Sequence, residues 1–320
     1  MWMAMGEGSV NTVATSTDGI NWVGRGKVFS KNGKDVYYNN GTWAAVGDDD
    51  DKSKCIAYST NDGVTWSYPS STVLEYTTNT IIFASFKWII GGKGTTYNVA
   101  SSYDLENWDY GTTLTANNLT EVHSLAYDGM YVIVAAGTGN QSYNYAAYYS
   151  TTEGTSWTYV SNTLGNHDAY VNKVIYHKGQ WIFAGGGTSN HISYTKNSYP
   201  ASTSKVSLAQ SFTYECLDVY SDGTRLIYSG RTTDISNNIQ KAVVSNTTSY
   251  FATSTHDSFK YGDISNNIGT QVAVGGGTNT ISYSTDDGIT WTGLGQTIFS
   301  TIGNKVYNNN NTWIAVGEGT

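Results

Sequence analysis

The sequence predicts an all-β protein built from repeated four-stranded units, and three observations support this prediction. All ten tryptophans fall at one of two positions of a repeat. Eight glycines that end an apolar run recur at intervals averaging about 44 residues, from Gly6 to Gly317. Asn-Gly and Asp-Gly pairs separate many of the apolar runs, and such pairs favour tight hairpins. A fixed period in this range indicates a circular or stacked array of one supersecondary unit.

Each repeat divides into four predicted strands. The first is an apolar segment that leads into an Asn/Gly turn, as in residues 36–41. The second opens on a tryptophan and ends in glycine, as in residues 43–47, and the third alternates, as in residues 281–284. The fourth begins at a tryptophan that closes a turn, as at Trp291. Four short strands per repeat match one blade of a β-propeller, whereas no stretch shows the 3.6-residue period of a helical repeat.

The count of predicted strands indicates how the propeller closes. The chain has seven copies of the first strand and of the third, but eight copies of the second. We therefore predict a seven-bladed β-propeller that spans residues 1–320 as a single domain. Its first blade would combine residues 2–22 with a strand from residues 301–320, which removes an exposed sheet edge. One second strand is surplus, so either residues 2–6 or 313–317 are displaced, or the chain is part of a longer array. The surplus strand also suggests a homo-oligomer.

The turn before the fourth strand carries a recognisable motif. Residues 59–66 and 284–291 read Ser-x-Asn/Asp-x-Gly-x-Thr-Trp, and residues 16–22 carry a shorter version. This pattern resembles the Asp-box of sialidase-type β-propellers. The resemblance implies that the box joins the third and fourth strands at the blade periphery, that its carboxylate binds backbone amides, and that its tryptophan packs between blades. The structural residues implied are Asp18, Trp22, Asp62, Trp66, Asp104, Trp108, Trp157, Asp286 and Trp291.

A second resemblance concerns the repeat as a whole. The Trp-x-Ala-Val-Gly segment followed by Ser-Thr-Asp-Gly is similar to uncharacterised repeats of bacterial surface proteins, phages and large DNA viruses. This resemblance favours an extracellular, cell-surface or virion location. It does not imply sialidase activity, because that chemistry needs three arginines on one carboxylate and this chain has three in total, Arg25, Arg225 and Arg231, at dissimilar positions of the repeat.

Composition excludes several kinds of partner. The net charge is −8, and Lys and Arg are not clustered, which argues against a nucleic-acid ligand. No apolar run approaches the roughly 18 residues of a membrane helix, so membrane insertion is not expected. The five histidines and two cysteines lack ligand spacing, and we predict no metal and no cofactor. The acidic run 48–51 lacks the alternating ligands of an EF-hand loop and is interpreted as a solvated loop.

The loops between the second and third strands are the candidate ligand-binding surface. They are rich in Tyr, Asn and Ser, which offer large rigid contact area and adaptable hydrogen bonds. The alternative is that they are ordinary polar hairpin loops. The candidate ligand-binding residues are Tyr97, Asn98, Tyr143, Asn144, Tyr145, Asn190, His191 and Arg231.

We therefore expect a non-enzymatic scaffold or adhesion propeller, a surface or virion component that recognises glycan or protein through its loop-rich face. The alternative is a carbohydrate-active hydrolase, which would need two carboxylates about 5–10 Å apart at the channel mouth. Nothing in the spacing selects such a pair, so no catalytic residue is assigned. The acids expected at that end of the blades are residues 48–51, Glu75, Glu121, Asp168, Glu215, Asp234 and Asp263.

Overall fold

The computed structural model describes most of the chain and divides it into two compact units. The central unit is Val28–Ser207, and the terminal unit combines Met1–Lys27 with Leu208–Thr320. For part of the terminal unit only the backbone is described. The description leaves out residues 1, 6–9, 17–21, 112–113, 115–118, 131, 140–145, 161–169, 187–190, 196–199, 201–204, 209–214, 222–225, 232–238, 246–247, 255–261, 268–269, 276–277, 280, 286–289, 295–301, 310–311 and 319–320.

The central unit contains four groups of antiparallel strands, one for each repeat, and each group is called a sheet below. The fourth and fifth groups are joined by one further pairing, that of Thr138 with Tyr170. The second repeat forms β4 (Asn32–Asn39), β5 (Thr42–Asp48) and β6 (Ile56–Ser59), with a short 3₁₀ helix at Lys52–Lys54. The third forms β7 (Thr77–Ala84), β8 (Lys87–Lys93) and β9 (Val99–Ser102). The fourth forms β10 (Leu119–Tyr127), β11 (Ile133–Gly139), β12 (Ala147–Ser150) and β13 (Thr158–Tyr159), and the fifth β14 (Tyr170–His177), β15 (Gln180–Gly186), β16 (Ile192–Thr195) and β17 (Lys205–Leu208).

The terminal unit holds the remaining strands. They are β1 (Trp2–Met5), β2 (Val13–Ser16), β3 (Trp22–Gly24), β18 (Glu215–Ser221), β19 (Leu226–Arg231), β20 (Ile239–Ser245), β21 (Thr248–Ser254), β22 (Gly262–Asn267), β23 (Thr270–Gly275), β24 (Ile281–Ser284), β25 (Thr292–Gly293), β26 (Ile302–Asn309) and β27 (Thr312–Glu318). Consecutive strands of each repeat pair antiparallel in chain order. The described strands follow the order that the four-part repeat predicts, except that the fourth strand of the second and third repeats is only an isolated bridge, Tyr58 with Ser67 and Ser101 with Asp109.

The two ends of the chain lie in the same unit but form separate sheets. Strand β26 pairs with β27, and β1 pairs with β2. Within the terminal unit β1 lies beside β26 and β27. Strand β1 is a second strand, and another second strand, β27, lies in the same way beside the second strand of the preceding repeat, β23. The N-terminal sheet therefore lies next to the C-terminal hairpin, as one repeat lies next to the preceding one. A blade shared by both ends of the chain, a count of seven blades and a single domain remain predictions.

The hydrophobic core of the central unit consists of layers between consecutive sheets. One layer joins Val46 of β5 to Ile81 and Trp88 of the next sheet. The layer between the third and fourth sheets contains Ile89, and the layer between the fourth and fifth contains Trp181. Neighbouring residues of one second strand, such as Trp88 and Ile89, thus face different layers. Because both faces of this strand are buried, it reads as a continuous apolar run instead of alternating.

The tryptophans of the central unit act largely as spacers between sheets. Those that open second strands are buried, with Trp43 7%, Trp88 4% and Trp181 0% exposed. Of those that close a turn, Trp157 is buried, whereas Trp66 and Trp108 are half-buried. A buried Trp contributes several kcal/mol, since truncation to Ala typically costs about 3–5 kcal/mol. The indole rings of Trp88, Trp157 and Trp181 therefore lie in the layers between sheets.

A β-bulge explains why each second strand ends in glycine. The first strand shifts register near its start, between Gly33 and Asp35 in β4 and between Val122 and Ser124 in β10. The shift brings the first strand's backbone against the partner strand: a Cβ on Gly137 would lie 2.0 Å from the carbonyl oxygen of Glu121. Glycine is required there because no larger residue leaves room for the carbonyl. Equivalent close approaches occur at Gly47, Gly92 and Gly185.

Candidate functional site

The residue inserted at the bulge is not the same in every sheet, although the backbone geometry repeats and asparagine recurs in the third and fifth sheets, as Asn79 and Asn172. The inserted residues of the second, third and fourth sheets are Lys34, Asn79 and His123. β-Bulges re-aim a side chain and are common beside functional sites. These three side chains and the groups that they contact form the polar cluster described next.

Lys34 connects the second sheet to the third. Its ammonium Nζ lies 2.8 Å from Asp48 Oδ2 and donates to Thr77 Oγ1 at 2.6 Å and to Asn79 Oδ1 at 2.8 Å. The Thr77 hydroxyl in turn donates to Asp48 Oδ1 at 2.5 Å. The side chains of Lys34 and Asp48 are 28% and 22% exposed, so the pair is partly shielded but still reachable from solvent.

Asn79 makes the corresponding connection from the third sheet to the fourth. Its Nδ2 donates to Glu121 Oε1 and to the carbonyl oxygen of Val122, both at 2.9 Å. His123 continues the series: its ring hydrogen-bonds to the backbone of Val171 in the fifth sheet, and its Nε2 lies 3.2 Å from Thr138 Oγ1. Each bulge side chain therefore bonds to the neighbouring sheet.

We call Lys34, Asp48, Thr77, Asn79, Glu121 and His123 the bulge belt. It carries one ammonium, two carboxylates and a histidine along three consecutive sheets. Burial lowers the pKa of His123, and the nearby Glu121 carboxylate opposes that shift. A low pKa keeps the imidazole neutral near pH 7 and able both to donate and to accept a hydrogen bond.

A group of tyrosines flanks the bulge belt at the third sheet. Tyr76 precedes Thr77 and is 52% exposed. Tyr97 and Tyr110 stack with ring centroids 4.7 Å apart, and Tyr110 is 40% exposed. The Glu75 carboxylate fixes the intervening loop by accepting from the backbone N–H of Thr95 at 2.9 Å. We call Tyr76, Tyr97 and Tyr110 the tyrosine group, and this end of the sheets, with the bulge belt, the bulge face.

The structure places the predicted ligand-binding residues in different settings. Tyr97 lies in the tyrosine group, but Asn98 is buried and its Nδ2 donates to the carbonyl oxygen of Leu119 at 2.6 Å. His191 occupies the equivalent position of the fifth sheet and is also buried. Arg231 ends β19 and is described by its backbone. Tyr143, Asn144, Tyr145 and Asn190 lie outside the described residues.

The opposite end of the sheets carries the Asp-box-like turns, and their serine hydrogen bonds repeat closely. Ser59 Oγ accepts from the backbone N–H of Gly63 at 2.9 Å, and Ser150 Oγ accepts from that of Gly154 at 3.0 Å. Ser102 Oγ accepts from the backbone N–H of Leu105 at 2.8 Å. The serine that ends the third strand of the second, third and fourth sheets therefore satisfies a backbone donor in the turn.

The tryptophan that ends each of these three turns makes the same hydrogen bond within its own turn. Trp66 Nε1 donates to the carbonyl oxygen of Gly63 at 3.2 Å, Trp108 Nε1 to Leu105 at 3.1 Å, and Trp157 Nε1 to Gly154 at 2.9 Å. Because each indole N–H is used within its own turn, these side chains serve architecture.

The polar residue of the turn varies. Asp104 Oδ1 accepts from the backbone N–H groups of Glu106 and Asn107, and the bond from Asn107 holds the pKa of Asp104 well below its usual range. In the 59–66 turn the acceptor is Asn61 Oδ1, which bonds to the backbone N–H of Thr65 at 2.9 Å, whereas Asp62 adopts a left-handed φ of 61°.

The other predicted Asp-box residues are less fully described. Trp22 is described by its backbone and Trp291 is half-buried, whereas Asp18 and Asp286 lie outside the described residues.

The acidic run 48–51 is tied to protein donors. Asp49 accepts from the backbone N–H groups of Ser30 at 2.5 Å and Asp51 at 2.9 Å. Asp50 pairs with Lys31 at 2.9 Å, which lowers the pKa of Asp50.

No group of three or more His, Cys, Asp or Glu side chains suited to a metal ion occurs in the described part of the chain. The same part contains no helix with the length and apolar character that crossing a bilayer requires.

Comparison with solved structures identifies the fold. The chain is similar to YCF48 from Cyanidioschyzon merolae, with 14% identity, a TM-score of 0.61 and coverage of 87% of this chain and 90% of the other. It is equally similar to the WD40 β-propeller domain of Doa1, with 15% identity, a TM-score of 0.61 and 88% of each chain covered.

The chain has a β-propeller fold. A third similar structure, YCF48 bound to D1 peptide, has 12% identity, a TM-score of 0.54 and coverage of 83% of each chain. No family model matches the sequence, and no curated protein matches it significantly. The likeness therefore shows the fold and leaves the function to be argued from the site.

Sequence reasoning did not find the inserted residues of the bulge belt. It named Asp48 and Glu121 among the acids at this end of the blades, but gave no role to Lys34, Asn79 or His123. A signal was present, because Lys34 and Asn79 each lie 13 residues before the glycine that ends the second strand. Their side chains differ, so a search for repeated residue types passes over them.

Proposed function

We propose that this chain is a non-enzymatic binding propeller that recognises a protein ligand on the bulge face of its second to fourth sheets. One observation carries the proposal. At the bulge the backbone repeats while the inserted side chain changes from Lys34 to Asn79 to His123. A scaffold that holds different side chains at the same backbone position of successive sheets can present an asymmetric surface to a ligand.

The chemistry of the bulge face favours a polypeptide ligand. Lys34, Asp48 and Glu121 offer both signs of charge, which suits backbone amides and charged side chains. The tyrosine group adds exposed aromatic area beside them, and aromatic anchors dominate the energetics of many protein interfaces. A similar structure, YCF48, contains a bound peptide, which supports peptide recognition by this fold.

A glycan ligand and a surface or virion location belong to the same proposal as alternatives to be tested. Tyrosine faces also pack against sugar rings, so the tyrosine group suits either ligand. The charges of the bulge belt favour the protein ligand, since a polypeptide can offer side chains of complementary charge and a neutral sugar cannot.

A specific observation also bears on the hydrolase alternative. Asp48 and Glu121, both among the acids expected at this end, belong to one belt, but they are joined through Lys34 and Asn79. A glycosidase needs open space between its carboxylates for the sugar and for water. The arrangement therefore supports binding better than hydrolysis, and the absence of any hydrolysis of fluorogenic glycosides would agree with it.

The test is selection of binding peptides from a random phage-displayed library on the full chain. We expect enriched peptides whose affinity falls about tenfold in Tyr110→Ala and Tyr76→Ala, as loss of an aromatic anchor typically does. Phe86→Ala is the matched control, because Phe86 is 85% exposed on the hairpin between β7 and β8, at the other end of the sheet.

Two outcomes would overturn the proposal. One is the absence of any enriched peptide that the tyrosine variants weaken. The other is a glycan array in which a sugar binds and Tyr110→Ala abolishes that binding, because this result would assign the bulge face to a glycan.

A further inference from the structure

The hairpin between β7 and β8 presents an exposed aromatic ring at its tip. Phe86 is 85% exposed and adopts a left-handed φ of 65°, next to Ser85 at 49°. The second sheet has Asn40 and Gly41 in the corresponding hairpin, with φ values of 43° and 85°. Tight hairpins of this kind favour glycine where Phe86 stands, because a side chain is strained at positive φ. The third sheet therefore keeps a strained and exposed phenylalanine where the turn itself favours glycine.

Three further side chains meet beside this tip. Lys87 follows Phe86 and is buried, and its Nζ lies 4.6 Å from the centroid of the Tyr103 ring. The same Nζ lies 3.8 Å from Glu153 Oε2 in the turn of the fourth sheet. We call Phe86, Lys87, Tyr103 and Glu153 the aromatic corner. It joins the hairpin and the turn of the third sheet to the turn of the fourth, all within the central unit.

The aromatic corner is open to solvent apart from its lysine. Tyr103 is 64% exposed, so most of its ring remains accessible although Lys87 contacts it. The side chain of Glu153 is 53% exposed. At 3.8 Å its contact with Lys87 is too long for a hydrogen bond, so this ion pair does not use up the acceptor capacity of the carboxylate.

The surface around the aromatic corner is acidic. At this end of the second, third and fourth sheets, the hairpins and Asp-box-like turns contain five acidic residues and one basic residue, the buried Lys87. A negative surface of this kind attracts a positively charged partner and repels the anionic lipids of a bilayer. The segments counted are 39–42, 59–66, 84–87, 102–108, 128–132 and 150–157, and their acids are Asp62, Asp104, Glu106, Asp128 and Glu153.

The lysine of the aromatic corner shows which chemistry this corner accepts. Its ammonium already lies between the Tyr103 ring and the Glu153 carboxylate, on the buried side. An arginine suits the exposed side, because its planar guanidinium stacks on an aromatic face and donates to carboxylates. The exposed ring of Phe86 offers contact area for an apolar residue next to that arginine.

We propose that the aromatic corner is a docking site for a segment of a partner polypeptide that carries an arginine next to an apolar residue. The guanidinium stacks on Tyr103 and pairs with Glu153, and the apolar residue packs on Phe86. This site lies at the opposite end of the sheets from the bulge face, and it stands without the function proposed for that face.

The test selects peptides from a random phage-displayed library on the chain with Tyr76→Ala and Tyr110→Ala. These changes remove exposed tyrosines of the bulge face, so success or failure there does not affect the result. We expect enriched peptides with arginine beside an aliphatic or aromatic residue. Fluorescence anisotropy of a fluorescein-labelled synthetic copy should show about tenfold lower affinity after Tyr103→Ala and unchanged affinity after Val64→Ala. Val64 is the matched control, because it is 58% exposed in the turn of the second sheet.

A double-mutant cycle tests the pairing of the arginine with Glu153. Replacing the peptide arginine by citrulline keeps the shape and removes the charge, and it should weaken binding to the parent chain about tenfold. In Glu153→Gln the same replacement should have little effect, because the charged partner is already absent. Equal effects of citrulline in both chains, or no enriched peptide that Tyr103→Ala weakens, would overturn the site.

Phe86→Gly separates binding from stability. Glycine relieves the strain of the left-handed φ, so the unfolding midpoint should not fall, whereas the affinity for the peptide should fall about tenfold. A lower midpoint with unchanged affinity would contradict the proposal, because Phe86 would then serve the hairpin. Binding of the chain to phosphatidylcholine vesicles that Phe86→Gly abolishes would also contradict it, since the tip would then be assigned to a bilayer.

Discussion

The two ends of the sheets in the central unit differ in what repeats from one sheet to the next. At the turn end the side chains repeat: Ser59, Ser102 and Ser150 make the same bond, and the tryptophan N–H of each turn bonds three residues back. At the bulge end the backbone repeats, but the inserted side chain changes. Repeated chemistry indicates architecture, because every sheet must close its turn. Where the backbone repeats but the side chains change, the side chains are not needed for closing each sheet and can serve to bind a ligand.

The largest effect on stability is expected at the glycine that faces the bulge, because the fold depends on the close backbone contact there. Gly137→Ala would force a methyl group to 2.0 Å from the carbonyl oxygen of Glu121, and we expect a loss of about 3 kcal/mol in the free energy of unfolding. Gly41→Ala is the control, since Gly41 has a φ of 85° and a Cβ added there would meet no atom within 4 Å; only left-handed strain remains, about 1 kcal/mol. Denaturant unfolding measures both, and equal losses would contradict a tight bulge.

The bulge belt should contribute more to stability than the exposed charges beside it. Lys34→Met removes the partner of Asp48 and two further hydrogen bonds, and we expect a loss of about 2 kcal/mol. Lys31→Met removes an exposed ion pair with Asp50 and should leave the unfolding midpoint unchanged. If the two variants unfold at the same midpoint, the belt is not the connection between sheets that the distances indicate.

Removing the hydroxyl of the serine that recurs in the turns should lower the stability of the protein. Ser59→Ala deprives the buried N–H of Gly63 of its acceptor, which should cost about 1–2 kcal/mol. Thr60→Ala changes the neighbouring exposed residue and should stay within about 0.5 kcal/mol of the wild type. The same denaturant assay applies, and a negligible effect of Ser59→Ala would weaken the view that turn chemistry is architectural.

The smallest effect concerns pH. Burial lowers the pKa of His123 below its ordinary 6.5, so the unfolded chain binds the proton more readily than the folded one. The stability that His123 contributes is therefore complete above the pKa of the unfolded chain, and it is lost as the pH falls from that value towards the lower pKa of the folded chain. The unfolding temperature should fall less between about pH 8 and pH 5.5 in His123→Gln than in the wild type. Parallel profiles would contradict the lowered pKa.

Much of the fold could be predicted from local patterns. The hairpin at Asn40-Gly41 has a positive φ at both residues, 43° and 85°, as the Asn-Gly signal requires. The tryptophan positions predicted the layers between sheets. The candidate site was harder, because Asn98 looks like an exposed loop residue in sequence but is buried against the fourth sheet.

The sequence by itself determined the period, the turns and the apolar second strands, because each depends on residues within a few positions of one another. Only the tertiary structure decided which side chains meet at the bulge face. Lys34 and Asn79 lie 45 residues apart and contact each other because two bulges at the same height aim them across adjacent sheets. Such a contact depends on register and packing between repeats, and no local pattern encodes either.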